Sequence, residues 1–124
     1  LVKKKPVVLV VDDSFTARTL QKSILEAAGY AVRVAVNGKA ALDLLRSDRI
    51  DAVVSDIQMP EMDGFQLLSA MKNQATLSEL PVVLVTSLSS KEDQERGLAL
   101  GADAYIVKER FDHRELLETI RQLV

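Results

Sequence analysis

The sequence predicts an α/β domain, a single (βα)5 three-layer sandwich on a five-stranded parallel sheet. Three observations carry this reading. Short β-branched apolar runs alternate with longer amphipathic stretches along the 124 residues. The first and fourth runs, Val7–Val11 and Val82–Val85, contain no polar residue, as strands buried on both faces require. Acids, hydroxyls and a lysine stand just past the carboxyl ends of the runs, the edge at which open α/β sheets place their function.

In chain order, the strands are read at Val7–Val11, Val32–Val36, Ala52–Ser55, Val82–Val85 and Ala104–Val107. Residues 1–5 form a lead-in to the first strand, with Lys3, Lys4 and Lys5 at its solvated end. After that strand, Ala17, Leu20, Ile24 and Ala28 recur at helical spacing and stop at Gly29, a residue suited to the position past a helix end. Ala40, Ala41, Leu44 and Leu45 mark a second helix, with Asn37 as its cap. Asp63 precedes Phe65, Leu67, Leu68 and Met71, which form a third. Ser90 and Asp93 cap a fourth, which carries Gly97 in its interior at a cost of about 1 kcal/mol. Asp112 and Glu115 have capping-box spacing before Leu116, Leu117, Ile120 and Leu123. Strand–helix alternation makes the crossovers right-handed and covers both faces of the sheet.

Composition narrows the function. With 16 basic residues against 18 acidic ones the net charge is −2, so direct nucleic-acid binding is not expected. The absence of cysteine excludes disulfides, zinc thiolate sites and thiol chemistry, and a single histidine excludes a His-rich metal site. Apolar and charged fractions of 48% and 27% are those of an ordinary globule and not of a disordered chain. No apolar run approaches the roughly 18 residues a bilayer span needs, and no secretory pattern is present. Membrane insertion is therefore not expected, and the cytoplasm is the default compartment. A start at Leu1 is that of a piece cut from a longer chain.

The strand ends hold the chemistry. The first ends in Asp12-Asp13-Ser14, the third in Asp56 followed by Ile57-Gln58-Met59-Pro60, the fourth in Thr86-Ser87 and the fifth in Lys108. Each alone is accounted for by a helix cap or a solvated loop, Asp13 as a cap among them. The set is not. Three carboxylates at one edge repel, and each needs a raised pKa or a neighbouring cation. A hard divalent ion such as Mg²⁺ suits them, since it takes carboxylate, water and phosphate oxygens. A carboxylate beside such an ion and a lysine can act as a nucleophile towards a phosphoryl group, whose equatorial oxygens the two cations neutralise.

Asp12-Asp13-Ser14, the segment Asp56-Ile57-Gln58-Met59-Pro60-Glu61-Met62-Asp63-Gly64, Thr86 and Tyr105-Ile106-Val107-Lys108 resemble the receiver domain of two-component response regulators. The likeness runs from Pro6 to Leu123, and its D-x-x-M-P-x-M-D-G stretch is highly specific. It implies a receiver domain over residues 6–124 with a flavodoxin-like fold and strand order 2-1-3-4-5, an order that belongs to the family and not to the periodicity. It further implies that Asp56 is the phosphoacceptor, served by a histidine kinase or a histidine phosphotransfer domain. Asp13, Asp56 and the backbone carbonyl of Gln58 would hold Mg²⁺ or Mn²⁺, with Asp12 acting through metal-bound water. Lys108 would pair with Asp56 or its phosphoryl oxygen. Thr86 would hydrogen-bond the phosphoryl group, supported by the Ser87 backbone N–H. Tyr105 would be an aromatic switch, turning inward when Thr86 moves, and a downstream protein would dock on the face of the fourth helix, fifth strand and fifth helix. Such a domain is not an enzyme beyond catalysing its own phosphorylation and dephosphorylation.

The remaining features read as structural. Pro60 and Gly64 shape the loop after Asp56, Gly64 letting it enter the third helix closely. Met59 and Met62 are packing residues, Asp63 is a cap, and His113 is solvent-exposed and not a relay histidine. Lys108 is followed by Glu109-Arg110-Phe111-Asp112 where the family usually has proline. A cis bond there costs about 2.5–4 kcal/mol against under about 1 before proline, so this loop is expected to differ. A lysine followed by this Phe-Asp pair looks like receivers attached to chemotaxis-type hybrid histidine kinases. A haloacid-dehalogenase-like phosphatase would need an acid where Gln58 stands, and a flavin carrier would need a Ser/Thr/Gly-rich first loop in place of Asp12-Asp13. A pseudo-receiver would lack one of the acids, and none is missing. A non-switching phosphate sink keeps the same residues.

Overall fold

Burial on both faces selects the strands. The structure, a computed structural model, describes residues 4–110 and 112–124; Leu1–Lys3 of the lead-in and Phe111 lie outside the described residues. The strands are β1 (Val7–Val11), β2 (Ala31–Ala35), β3 (Ala52–Ser55), β4 (Val82–Thr86) and β5 (Ala104–Val107). They alternate with α1 (Phe15–Ala27), α2 (Gly38–Ser47), α3 (Gly64–Lys72), α4 (Lys91–Ala99) and α5 (His113–Leu123). The sheet is parallel with order β2-β1-β3-β4-β5, the flavodoxin-like arrangement expected from the resemblance.

On one face Leu9, Val53 and Leu84 pack with Leu42, Leu45, Phe65, Leu68 and Met71 of α2 and α3. On the other, Val8, Val10, Val54, Val83 and Val85 meet Leu25 of α1 and Leu116 and Ile120 of α5. Every second residue of β1, β3 and β4 serves each layer, which is why these strands read as unbroken apolar runs. β2 is an edge strand. It begins one residue earlier than the apolar run predicts, because Ala31 pairs with Val7, and it ends before Val36, which is 49% exposed. Arg33 on this edge is ion-paired with Asp48 at the end of α2. β4 runs one residue longer than read, since Thr86 stays in register with Val107.

α1 departs from its expected stripe. It buries Gln21 and Leu25, whereas Leu20 is 51% exposed and Ala28 is exposed as well. The buried line is turned one residue from the apolar one, with the polar Gln21 inside. Past the helix end Gly29 adopts φ +98°, as expected of a residue free of the Cβ penalty.

Caps fix the other boundaries. Asn37, Asp63 and Ser90 accept from the backbone N–H groups of Ala40, Gln66 and Asp93, and Asp63 and Gln66 form a reciprocal capping box. α1 is capped by Ser14, which frees Asp13 of that role. Asp112 caps α5 by accepting from Arg114, so the Asp112–Glu115 box is not the one used. His113 is exposed as the first residue of α5. Met59 and Met62 pack against the core. Among the described residues no helix is long and apolar enough to cross a membrane.

Gly64 comes close against the backbone of Asp56 and Ile57. Its N–H donates to the Ile57 carbonyl at 2.8 Å, and a Cβ there would fall on the Asp56 carbonyl oxygen and lie 2.8 Å from Ile57 Cα. Both obstacles are backbone. Gly64→Ala should therefore lower unfolding free energy by about 1–3 kcal/mol, more than the roughly 1 kcal/mol expected of Asp63→Ala. Denaturant titration compares the two, and an equal or smaller loss at Gly64 would contradict the close approach.

Candidate functional site

Sheet register brings the acids together. Val11 of β1 stands opposite Ser55 of β3, so the next residues, Asp12 and Asp56, leave the sheet side by side. The turn into α1 then places Asp13. One carboxylate oxygen from each of Asp12, Asp13 and Asp56 lies within 4.8 Å of the others. Asp12 is fully buried and Asp56 7% exposed, while Asp13 is exposed.

Lys108, at the end of β5, reaches across the end of β4 to both buried acids. Its Nζ donates to Asp12 Oδ2 at 2.8 Å and to Asp56 Oδ2 at 3.0 Å. The second oxygen of each acid is held by main chain, with Ser14 N–H donating to Asp12 Oδ1 at 2.9 Å and Ile57 N–H to Asp56 Oδ1 at 2.7 Å. Partial burial works against the Lys108 ammonium, but its hydrogen bonds to Asp12 and Asp56 and their charges outweigh this and hold its pKa above the usual 10.5. Arg18 braces the turn, donating to the Asp12 carbonyl at 2.9 Å, with its guanidinium 5.8 Å from the centre of the Phe15 ring. Three carboxylates against one ammonium leave a negative excess on an all-oxygen donor set. That set suits a hard divalent cation.

The remaining expected residues ring this centre. Gln58 is exposed just past Asp56, and its Oε1 accepts from Ser87 Oγ at 3.4 Å. Thr86 is fully buried, and its Oγ1 accepts from the Leu88 N–H at 3.3 Å. Tyr105 stands opposite Leu84 and Thr86 opposite Val107, so Tyr105 and Thr86 share a sheet face as diagonal neighbours. The Tyr105 ring is half-buried and its hydroxyl donates to the Leu88 carbonyl at 2.7 Å. The Leu88 peptide groups thus join Thr86 to Tyr105. Neither this bridge nor the Arg18 brace was visible in the sequence, because both run through main-chain atoms that any residue supplies. After Lys108 the chain makes one 3₁₀ turn, Lys108–Arg110, and among the described residues no peptide bond is cis.

Among known families, residues 8–121 match the one described as the response regulator receiver domain. The chain belongs to that family. This receiver is 38% identical over 116 residues to a gliding motility regulatory protein of Myxococcus xanthus, covering 94% of the chain and 15% of that protein. It is 39% identical over 117 residues to the response regulator MprA of Mycolicibacterium vanbaalenii, covering 94% of the chain and 49% of the relative. The chain thus spans less than half the length of either. Among solved structures it resembles the chemotaxis protein CheY4 of Vibrio cholerae, with a TM-score of 0.90 and 34% identity over 98% of this chain and 100% of that one. It is accordingly a receiver domain of two-component signalling.

Burial, followed by the charges of Asp93 and Asp56, pushes the Tyr105 phenol up from 10.0 to about 12. A proton held more tightly in the folded state contributes stability that is complete below pH 10.0 and lost as pH rises through about 12. Tyr105→Phe should remove that part of the alkaline loss. Melting temperatures measured across this window test it, and an unchanged alkaline limb in Tyr105→Phe would refute the assignment.

Proposed function

We propose that this receiver unit, residues 6–124, takes a phosphoryl group from a phosphohistidine onto Asp56 and passes the signal to a partner at the α4–β5–α5 face. The observation that carries the proposal is the environment of Asp56, a nearly buried carboxylate held by Ile57 N–H and Lys108 beside two further acids. An Asp56 oxygen attacks phosphorus in line with the leaving imidazole. A P–O bond forms, the P–N bond breaks, and its electron pair returns to the histidine nitrogen of the donor.

Asp13, Asp56 and the Gln58 main-chain carbonyl would hold Mg²⁺ or Mn²⁺, with Asp12 acting through water. When bound, such an ion neutralises charge on the transferring group. Lys108 exchanges one of its two carboxylate partners for a phosphoryl oxygen. Thr86 and the Ser87 N–H donate to the same group, and a charge-assisted bond of this kind is worth about 1.5–3 kcal/mol. Moving a two-state equilibrium from 1:99 to 99:1 takes about 5.5 kcal/mol, so Thr86 alone biases the switch without saturating it. Movement of Thr86 acts on the Leu88 segment, and through it on Tyr105, which turns inward.

A second reading, a phosphate sink without a switch, draws support from the Tyr105 hydroxyl, which already bonds the Leu88 carbonyl. The likeness of its Lys108 loop supports a hybrid histidine kinase as the parent protein, with the cytoplasm as its expected compartment.

Incubation with acetyl phosphate and Mg²⁺ should add about 80 Da to the protein and nothing to Asp56→Asn. Labelling of Asp56→Asn at the same rate overturns the acceptor. Mg²⁺ should also raise the melting temperature by binding linkage, and Asp13→Asn should lose most of that shift. Equal shifts in the two proteins would count against Asp13 as a ligand. Beryllofluoride should move NMR signals of β5 and α4; if they stay fixed with Asp56 saturated, the sink reading stands.

A further inference from the structure

α4 has an unusual footing. Of its nine residues, Gly97 alone is buried, and its largest apolar side chain, Leu98, is 52% exposed. A helix normally rests on its sheet through an apolar stripe. Here the backbone at Gly97 does so. A Cβ at this position would lie 2.9 Å from Leu84 Cδ1 and 3.1 and 3.3 Å from Tyr105 Cδ2 and Cε2. Leu84 and Tyr105 are register partners across β4 and β5, so Gly97 sits over that pair. The same Tyr105 ring bonds, through its hydroxyl, the Leu88 carbonyl in the loop that leads into α4. One ring therefore contacts the approach to the helix and the helix middle. The other attachments lie elsewhere, in the Ser90 cap and in the Arg96 guanidinium 4.3 Å from the centre of the Phe65 ring.

We propose that Gly97 is a positioning residue, whose missing side chain lets α4 rest directly on the Tyr105 ring and so ties the place of the helix to the place of the ring. Glycine is otherwise a poor choice for a helix interior, and the space that a methyl would need is taken by core atoms and the ring. The proposal rests on the reading above that phosphorylation is read out at the α4–β5–α5 face, for it couples the place of the helix to that of the ring.

The test is a two-residue cycle. Gly97→Ala should lower the melting temperature of the wild type and shift the backbone amide signals of Lys91–Ala99. In a Tyr105→Ala background, where the ring is gone, the same change should raise the melting temperature, since alanine favours the helix. An equal fall in both backgrounds means that Leu84 sets the height of α4, and overturns the proposal. Should Gly97→Ala fail to fold, nuclear Overhauser contacts between the Tyr105 ring protons and the Gly97 Hα in the unaltered protein decide the matter, and their absence overturns it too. With beryllofluoride at saturation, the α4 shifts should shrink in Gly97→Ala. If the cycle holds while beryllofluoride moves nothing in α4 of the wild type, the seat stands and the switch reading fails.

Discussion

Lys108 lies 2.8 Å from one buried acid and 3.0 Å from another, and the sheet has to be wound in its observed order for that to happen. Asp12 and Asp56 are brought together because β1 and β3 are neighbours, and two carboxylates this close and this buried need an opposite charge between them. The cation comes from β5, two strands from β3, so its side chain must cross the end of β4. A long, flexible lysine on the edge strand and a compact threonine on the strand between meet that geometry. An ammonium can also change partners within the site, where the fixed fork of arginine would bind one carboxylate face-on.

Main chain carries much of the remaining order. Asp12 and Asp56 each give one oxygen to Lys108 and the other to an N–H one or two residues on. Such local bonds satisfy buried charge without recruiting further side chains. The outer wall of the site follows the same economy, since Gly64 lets the Asp56 loop fold directly against α3 and Leu88 links Thr86 and Tyr105 through its peptide groups alone.

The strands were legible because unbroken runs such as VVLVV and VVLV have few other uses in a chain of this composition. The acids were legible because two strand ends carried three of them at once, and the D-x-x-M-P-x-M-D-G stretch then named the family. α1 was misread for a physical reason. Its buried line contains Gln21, which reads as polar, so the apolar pattern pointed one residue away. The Asp112–Glu115 spacing fits a capping box, yet a cap aspartate can equally bond the N–H two residues on, and spacing does not choose between them. The Arg18 and Leu88 links escaped notice because each runs through a main-chain carbonyl or amide, which carries no letter in the sequence.

The Arg33–Asp48 ion pair on β2 has a meaning for the protein in company and not alone. An edge strand offers unpaired backbone groups to any other strand that drifts by. A charged side chain pinned over that edge obliges an incoming strand to desolvate the pair before it can form a single ladder bond. A second sheet edge is thereby kept from extending this one, and the acid-bearing strand ends are left clear of it.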